Sequence, residues 1–373
     1  MYSAMVEKIS LLQLFILIFL FQIGSAVVVG IAGEAERDAW IAILIATVIG
    51  IIIIRLYTYI LSYQPGTNLF DIMGQLFGRN ASMIISLVYT TYFFYIAARV
   101  LRDFMELLIT DLFPNTPIEV LSILFMIAVL YVIYLGPEVL GRTAETFFPY
   151  IIIFLLLTAI FLLASGDIKM HRLQPILAEG FTPIHDAIFP GLIGFPFGEA
   201  IVLTMFMALT NKFQHVTKVS IGAVIATGLT LSTIKIVSIS VLGTELSERA
   251  TFPLLTAARE IAFADFIERI DPIVIFVMML GIFIKVSVFF FGGLKGLEYV
   301  FQVPYRYFSI PIGMIVALFT ILIASNYTEH IEEGLQFVPL YLHMPLQIGI
   351  PTLLAMIIFI KGKQKKGGIT NAE

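Results

Sequence analysis

The chain has 373 residues, of which 59% are hydrophobic and 13% charged, and it carries a net charge of −4 and no cysteine. Soluble proteins carry about 25% charged residues, so this composition indicates a polytopic membrane protein. Disulfides and cysteine-ligated metals are excluded. We expect no metal, because the histidines lack metal-ligand spacing. We expect no enzymatic activity, because no span carries a nucleophile–base pair. We also expect no cofactor and no nucleic-acid partner.

Ten apolar stretches are long enough to cross a bilayer as helices, which takes about 20 residues each. In chain order they cover residues 10–32, 40–62, 81–109, 118–136, 143–164, 187–209, 218–242, 271–292, 307–325 and 344–361. These stretches predict an all-α integral membrane protein with ten transmembrane helices in a single membrane domain. The spans divide into two sets of five, within residues 10–164 and 187–361.

Lysines and arginines are more numerous in the loops on the side of the N-terminus than in the opposite loops. This excess predicts that both termini are cytoplasmic, because positively charged loops stay on the inner side of a membrane. The basic tail, residues 362–373, contributes to the excess. It serves either as a stop-transfer charge cluster or as a site for anionic lipid.

One long loop on the predicted outer side, residues 243–270, has a helical pattern of its own. The apolar residues at helical spacing are Leu254, Leu255, Ala258, Ile261 and Ala262, with charged residues between them. This pattern predicts an amphipathic helix at the membrane surface. Such a helix is either a lid over an outer vestibule or a seal on the bundle.

Two spans contain helix-breaking residues near their middles, at matching places in the two sets of five. The first span contains Gly24 within residues 22–26 and then Gly30, and the sixth contains Pro196 within residues 191–199. Paired interruptions indicate a solute site at the bilayer midplane, because unwound backbone is tolerated there only where protein or a water-filled cavity surrounds it. We therefore predict that helices 1 and 6 are discontinuous and face each other.

The two interruptions would suit the two ends of a zwitterion. If the first span rises outward, the half-helix after Gly24 presents free N–H groups to a carboxylate, and carbonyls at residues 191–194 suit an ammonium. This favours an amino acid without excluding small sugars or inorganic cations. Tyr92 and Tyr95 of the third span either pack or border the pocket. The candidate ligand-binding residues are Gly24, Ser25, Ala26, Val27, Tyr92, Tyr95, Gly191, Gly194, Phe195, Phe197, Gly198 and Glu199.

Two ionisable residues lie at similar depths in the sixth and eighth spans. Each such residue costs about 2.5–3.5 kcal/mol on insertion scales and is therefore a functional hypothesis. Glu199 either caps the half-helix that begins beside it or contacts a solute or a proton. Lys285 either neutralises a carboxylate, with Glu199 as a candidate partner, or is a fixed cation where other transporters bind sodium.

The third span carries four charged residues toward its outer end. Arg99 and Asp103 are four residues apart, as are Arg102 and Glu106, so each pair shares a helix face. We predict that these residues pair with each other along a face that lines the bundle interior or an aqueous vestibule. For Arg99 and Asp103 a proton-linked role is the alternative.

Five segments, taken together and in order, resemble a known family. They are NLFD at 68–71, AETFFPYI at 144–151, FPFGEA at 195–200, FPLL at 252–255 and DFIERIDP at 265–272. Through them, the chain from about residue 13 to residue 361 is similar to the B subunit of bacterial spore-germination nutrient receptors. That family belongs to the amino acid–polyamine–organocation superfamily.

The resemblance implies a five-plus-five inverted repeat of the LeuT type, with the ligand held between the interruptions of helices 1 and 6. It also implies residence in the spore inner membrane and sensing of a small-molecule nutrient, usually a small amino acid. The partners it implies are an A subunit in the membrane and a lipoprotein C subunit. The alternatives are a proton-coupled amino acid transporter, with Glu199 and Lys285 as proton-linked residues, and a ligand-free scaffold for a channel partner.

Overall fold

The apolar stretches of the chain fold into helix, because a membrane interior offers no water to satisfy free backbone amides and carbonyls. The structure, a computed structural model, describes residues 8–165, 168–250, 252–259 and 271–370. The helices of the first half are α1 (Leu11–Val29), α2 (Ala39–Ser62), α3 (Leu69–Phe77), α4 (Arg79–Asp111), α5 (Ile118–Leu135) and α6 (Pro137–Ser165). A 3₁₀ segment, Gly33–Asp38, joins α1 to α2.

The second half contains two spans built from several helical pieces. The sixth span, Thr182–Met207, joins α7 (Thr182–Asp186), a π-helical segment (Ala187–Phe197), a 3₁₀ segment (Gly198–Leu203) and α8 (Thr204–Met207). The helices that follow are α9 (Val216–Leu242), α10 (Thr244–Arg249), α11 (Pro253–Arg259), α12 (Asp271–Phe301) and α13 (Arg306–Leu322). The last span joins α14 (Tyr327–Glu332), a π-helical segment (Glu333–Gly349) and α15 (Ile350–Thr370).

Each of the ten predicted spans has a helical counterpart. Among the described residues, 8 stretches are long and apolar enough to cross a membrane. The first and ninth spans are shorter apolar helices, Leu11–Val27 and Arg306–Leu322. The chain is therefore a multi-pass helical membrane protein, and the count of ten rests on these two shorter helices.

The first helix is not interrupted where the sequence predicts. It continues as α-helix through residues 22–26 to Val29, and the chain leaves the helix at Gly30 and Ala32, which have φ of 75° and 60°. Gly24 packs against α12 instead of breaking α1: a Cβ there would lie 2.7 Å from the carbonyl oxygen of Gly281. The glycine thus permits the close helix contact that small residues provide in membranes.

Because α1 is continuous, the predicted carboxylate site on this helix is absent. The amides of Ser25, Ala26 and Val27 lie inside a continuous helix, where they do not form a free N-terminus. A ligand carboxylate must therefore find its donors elsewhere.

The sixth span is interrupted as predicted. Phe189 and Phe195 have extended backbone within the π-helical segment, and each precedes a proline. Proline removes an amide donor and disfavours helical conformation in the residue before it. The predicted free carbonyls are only partly free, because the amide of Gly198 donates to the carbonyls of Ile193 and Gly194.

The last span begins earlier than predicted, at Tyr327 and not at residue 344. His330 and His343 are buried within it at 1% and 3% exposure. α15 extends to Thr370, so the predicted tail begins as a continuation of this helix.

The predicted amphipathic helix corresponds to α11, which ends at Arg259. Leu254 and Leu255 are buried, and Leu254 borders a small apolar cavity beside Gly24 and Gly281. The side of α11 that carries these leucines is therefore packed into the bundle. The rest of the predicted pattern, Ile261 and Ala262, and most of the family segment at 265–272 lie outside the described residues.

At the N-terminal end of α1, the chain is hydrogen-bonded to the residues that follow the sixth span. The amide of Ile9 donates to the carbonyl of Leu209 at 3.1 Å, in a short parallel bridge with Thr210. Ser10 and Gln13 then form a capping box that starts α1. We call this side of the bundle the Ile9 end and the opposite side the Gly30 end.

Candidate functional site

A cavity of about 100 Å³ lies between α1, α4, the sixth span and the last span. Its floor includes Ser25 and Glu199, and its mouth at the Gly30 end includes the exposed residues Glu34 and Leu335. Val29, Ile96, Leu192 and further apolar residues form the walls. A mostly apolar pocket with a few polar groups at its base is the usual form of a small-molecule site.

The floor of the cavity is built on a buried ion pair. Lys285 Nζ lies 2.6 Å from Glu199 Oε2 and donates to Ser25 Oγ at 2.7 Å. Both charged side chains are almost fully buried, at 0% and 4% exposure. The pair therefore joins α12, the sixth span and α1 at one point, and the predicted partnership of Glu199 and Lys285 is formed.

Two aromatic rings complete the surroundings of the ammonium. Lys285 Nζ lies 4.3 Å from the ring centroid of Phe195 and 5.2 Å from that of Phe21. Cations over aromatic faces are stabilised most when they are removed from water. Lys285 is sealed beneath the cavity, so it can neutralise Glu199 but does not itself line the space.

The break in the sixth span presents Glu199 to the cavity. Glu199 follows the extended Phe195 by one turn and lies in the first turn of the 3₁₀ segment. One oxygen faces Lys285, while Oε1 makes no hydrogen bond with the described residues. Glu199 can therefore accept one more hydrogen bond, from a group inside the cavity.

Below the floor, aromatic side chains close the bundle toward the Ile9 end. Phe21 and Phe289 lie 5.0 Å apart, Phe93 and Phe289 6.2 Å, and Phe70 and Phe93 6.5 Å, measured between ring centroids. All four side chains are fully buried. The cavity thus opens at the Gly30 end and is blocked toward the Ile9 end.

A buried hydrogen-bond network that the sequence did not reveal connects the cavity wall to α4 and α2. His343 Nδ1 lies 2.7 Å from the hydroxyl of Tyr92 and 2.9 Å from Nε2 of Gln347. The hydroxyl of Tyr57 donates to the carbonyls of Gly198 and Gln347 at 2.8 and 2.9 Å. Of this network only Tyr92 and Gly198 are predicted from the sequence. The one sequence signal for the others is the spacing of His343 and Gln347, which are four apart on either side of Pro345.

At the mouth, the charged residues of α4 pair with the last span. Arg99 lies 2.9 Å from Glu333 and also donates to the carbonyl of His330, and Asp103 lies 2.9 Å from His330 Nε2. The predicted pairing of Arg99 with Asp103 is therefore wrong. The predicted pair of Arg102 and Glu106 is present at 3.4 Å.

Six of the fifteen site residues predicted from the sequence line one cavity. Those that line it are Ser25, Gly191, Phe195, Glu199, Arg99 and Asp103. Gly24 and Val27 border the small apolar cavity at α11, and Ala26 is buried in α1. Tyr92 and Tyr95 bond to the last span, at His343 and Glu333. The other predicted residues of the sixth span pack against neighbouring spans: Gly194 against His343, Gly198 against Gln347, and Phe197 against Gly50.

The chain matches the family model described as "Spore germination protein" over residues 8–328. It is 34% identical over 360 residues to spore germination protein KB of Bacillus subtilis (strain 168), covering 96% of each chain. It is 24% identical over 314 residues to spore germination protein A2 of the same organism, covering 82% of this chain and 85% of that one.

Among solved structures, MhsT in complex with L-phenylalanine has a similar fold. The TM-score is 0.65 over 93% of this chain and 87% of that chain, at 13% sequence identity. Likeness at this identity concerns the fold alone, and it confirms the predicted LeuT-like class. The family match and the similarity to protein KB over almost the whole chain show that this protein belongs to the spore germination protein family, on a transporter-like helical membrane fold.

Proposed function

We propose that the protein is the nutrient-sensing B-type subunit of a spore germinant receptor. The family match and the relative that is 34% identical over 96% of the chain support this role. In this proposal the protein lies in the spore inner membrane, with both termini cytoplasmic and the Gly30 end facing outward. The cavity is then open to nutrients that arrive from outside.

The ligand in this proposal is a small amino acid, and the observation that carries it is Glu199. Its Oε1 is available in the cavity for the ammonium of the nutrient, while Oε2 is paired with Lys285. A charged donor and acceptor removed from water form a strong hydrogen bond. The likeness in fold to MhsT, whose structure holds L-phenylalanine, adds support.

The signal is a change between two conformations of the bundle. A nutrient shifts such an equilibrium only by its differential affinity for the two states. Binding joins α1, α4, the sixth span and the last span around one solute, which favours a state with the mouth closed over it. The A subunit in the membrane and the lipoprotein C subunit receive this change.

Proton-coupled amino acid uptake is the second candidate function. A cavity that is open at one end and blocked at the other also suits a transporter. Uptake of amino acids into liposomes that contain this chain alone tests this alternative.

The neutral double variant Glu199→Gln with Lys285→Met tests the site. We expect it to fold, because it leaves no unpaired buried charge, and to lose about 1.5–3 kcal/mol of amino acid binding, the value of a hydrogen bond to a charged group. The measurement is thermal stabilisation of the purified full-length protein by the standard L-amino acids, since stabilisation follows ligand concentration over its dissociation constant. Small sugars and nucleosides complete the panel.

Glu119→Gln is the matched control, because Glu119 is an exposed carboxylate on α5, away from the cavity. It should leave the stabilisation unchanged. Equal stabilisation of the double variant and the wild type would refute the assignment of Glu199. Stabilisation by a sugar and by no amino acid would refute the proposed class of nutrient.

A further inference from the structure

His343 lies in the cavity wall with its two ring nitrogens in different surroundings. Nδ1 faces away from the cavity, toward Tyr92 and Gln347 at 2.7 and 2.9 Å. Nε2 makes no hydrogen bond with the described residues, although His343 is only 3% exposed and lines the cavity. One face of the ring is therefore fixed by protein, and the other nitrogen is left for the contents of the cavity.

The hydrogen bonds around Nδ1 determine where the ring carries its proton. The amide nitrogen of Gln347 can only donate, and it donates to the hydroxyl oxygen of Tyr92 at 2.7 Å. The same nitrogen lies 2.9 Å from Nδ1 of His343, so Nδ1 is an acceptor there, and the Tyr92 hydroxyl donates to it at 2.7 Å. A ring nitrogen that accepts carries no hydrogen, so the ring is neutral and Nε2 carries the proton.

The backbone of the sixth span holds this ring in place. A Cβ at Gly194 would lie 2.8 Å from Cδ2 and 3.0 Å from Cβ of His343, so only glycine leaves room for the imidazole. The result is an N–H donor on a side chain that is 3% exposed. It has no partner among the described residues and faces the same cavity as Glu199. Such a donor is available to a ligand or a water molecule that accepts its hydrogen bond.

The charged side chains and the α1 amides that could bind a carboxylate are occupied or sealed. The amides of Ser25 to Val27 lie inside α1, and Lys285 is fully buried beneath the floor. Arg99 at the mouth is held by Glu333 and by the carbonyl of His330. Among the described residues, the cavity therefore presents an acceptor at Glu199 and a donor at His343.

We propose that His343 Nε2–H binds the carboxylate of the nutrient and is a specificity-determining residue of the site. Tyr92 and Gln347 are positioning residues that hold the proton on Nε2. This inference rests on the proposed function, in which the ammonium of the same molecule binds Glu199. It assigns recognition of the carboxylate to the last span, in place of the α1 backbone.

The experiment compares each standard L-amino acid with its carboxamide, by thermal stabilisation of the purified full-length protein. The amide retains the ammonium and the side chain but loses the negative charge. We expect the wild type to bind the acid more tightly than the amide. His343→Leu should bind the acid about 10–100-fold more weakly and lose this preference, as expected for a lost hydrogen bond to a charged group.

Two further variants separate recognition from folding. His343→Gln places an amide N–H near the position of Nε2, and it should keep part of the preference for the acid. Tyr92→Phe removes the hydroxyl that fixes the ring, and it should reduce the preference without abolishing binding. A residue that only packs would change stability but not the ratio of acid to amide affinity.

If His343→Leu weakens binding of the acid and of the amide equally, or weakens neither, the inference fails while the proposed function stands. If the leucine variant does not fold, the same comparison is made with His343→Gln. If no amino acid stabilises the wild type, the proposed function fails and this inference with it. A selective loss of acid binding in His343→Leu, partly restored in His343→Gln, supports both.

Discussion

Replacing Lys285 by methionine is expected to destabilise the folded protein by about 3–5 kcal/mol, the cost of removing one partner of a buried ion pair. Methionine keeps a similar length, so the packing changes little. What remains is the carboxylate of Glu199, 4% exposed and without its cation, 2.6 Å from where Nζ lay. Ser25 also loses its donor. The measurement is thermal unfolding of the purified protein, without nutrient.

The control for this prediction is the double variant Lys285→Met with Glu199→Gln. It removes both charges together, and neutral replacements of a buried pair are often close to neutral in stability. We expect it to recover most of the loss. A single variant as stable as the wild type, or a double variant no more stable than the single one, would contradict the buried ion pair.

Gly24→Ala is expected to destabilise the bundle by about 1–3 kcal/mol, the usual cost of added volume in a packed interior. The new methyl group would lie 2.7 Å from the carbonyl oxygen of Gly281, and backbone cannot move aside as a flexible side chain can. α1 and α12 would have to separate, which would also disturb the contact of Lys285 with Ser25. Thermal unfolding and the response to nutrient would both report this change.

Gly222→Ala provides the matched control within α9. A Cβ at Gly222 would meet its nearest atom, in Phe15, at 3.9 Å, an ordinary contact. Alanine is favoured over glycine in a helix by about 0.8–1.0 kcal/mol, so this variant should be neutral or slightly stabilising. Equal effects of the two substitutions would show that α1 and α12 do not approach each other at Gly24.

The sequence predicts the fold class and the sixth span well because the signals there have a single meaning. Apolar stretches of membrane length form helix whatever their neighbours. Pro190 and Pro196 each lack the amide that a regular helix needs, so an interruption follows from covalent structure alone. The motif that contains Pro196 also carries Glu199, which the structure places at the cavity floor.

The first span shows why glycine is a weaker signal than proline. Gly24 keeps its amide, so it can either break a helix or let another helix approach closely. Gly281, whose backbone packs against Gly24, is far from it in the sequence, and no sequence pattern links the two positions. The interpretation as a break at residues 22–26 was wrong because the sequence does not show which partner faces the glycine.

The last span was shortened in the prediction because its polar residues lower the mean hydropathy. His330, Glu333, His343 and Gln347 all find partners in the bundle, mainly on α4. These partners are long-range, so the sequence favours local pairs such as Arg99 with Asp103. The contribution of the last span to the site, including His343, could not be predicted for that reason.

The most direct test of the proposed site is cysteine labelling at Gly191. The chain has no cysteine of its own, and a Cβ at Gly191 meets no atom within 4 Å, so Gly191→Cys adds a single thiol inside the cavity. Ser62→Cys, exposed at the end of α2 on the predicted cytoplasmic side, is the control.

The reagent is a membrane-impermeant maleimide applied to intact cells that produce the protein. We predict that Gly191→Cys is labelled from outside, that an amino acid that stabilises the protein slows the labelling, and that Ser62→Cys reacts only after permeabilisation. Labelling of Gly191→Cys that requires permeabilisation, or that no amino acid slows, would contradict an outward-facing nutrient site.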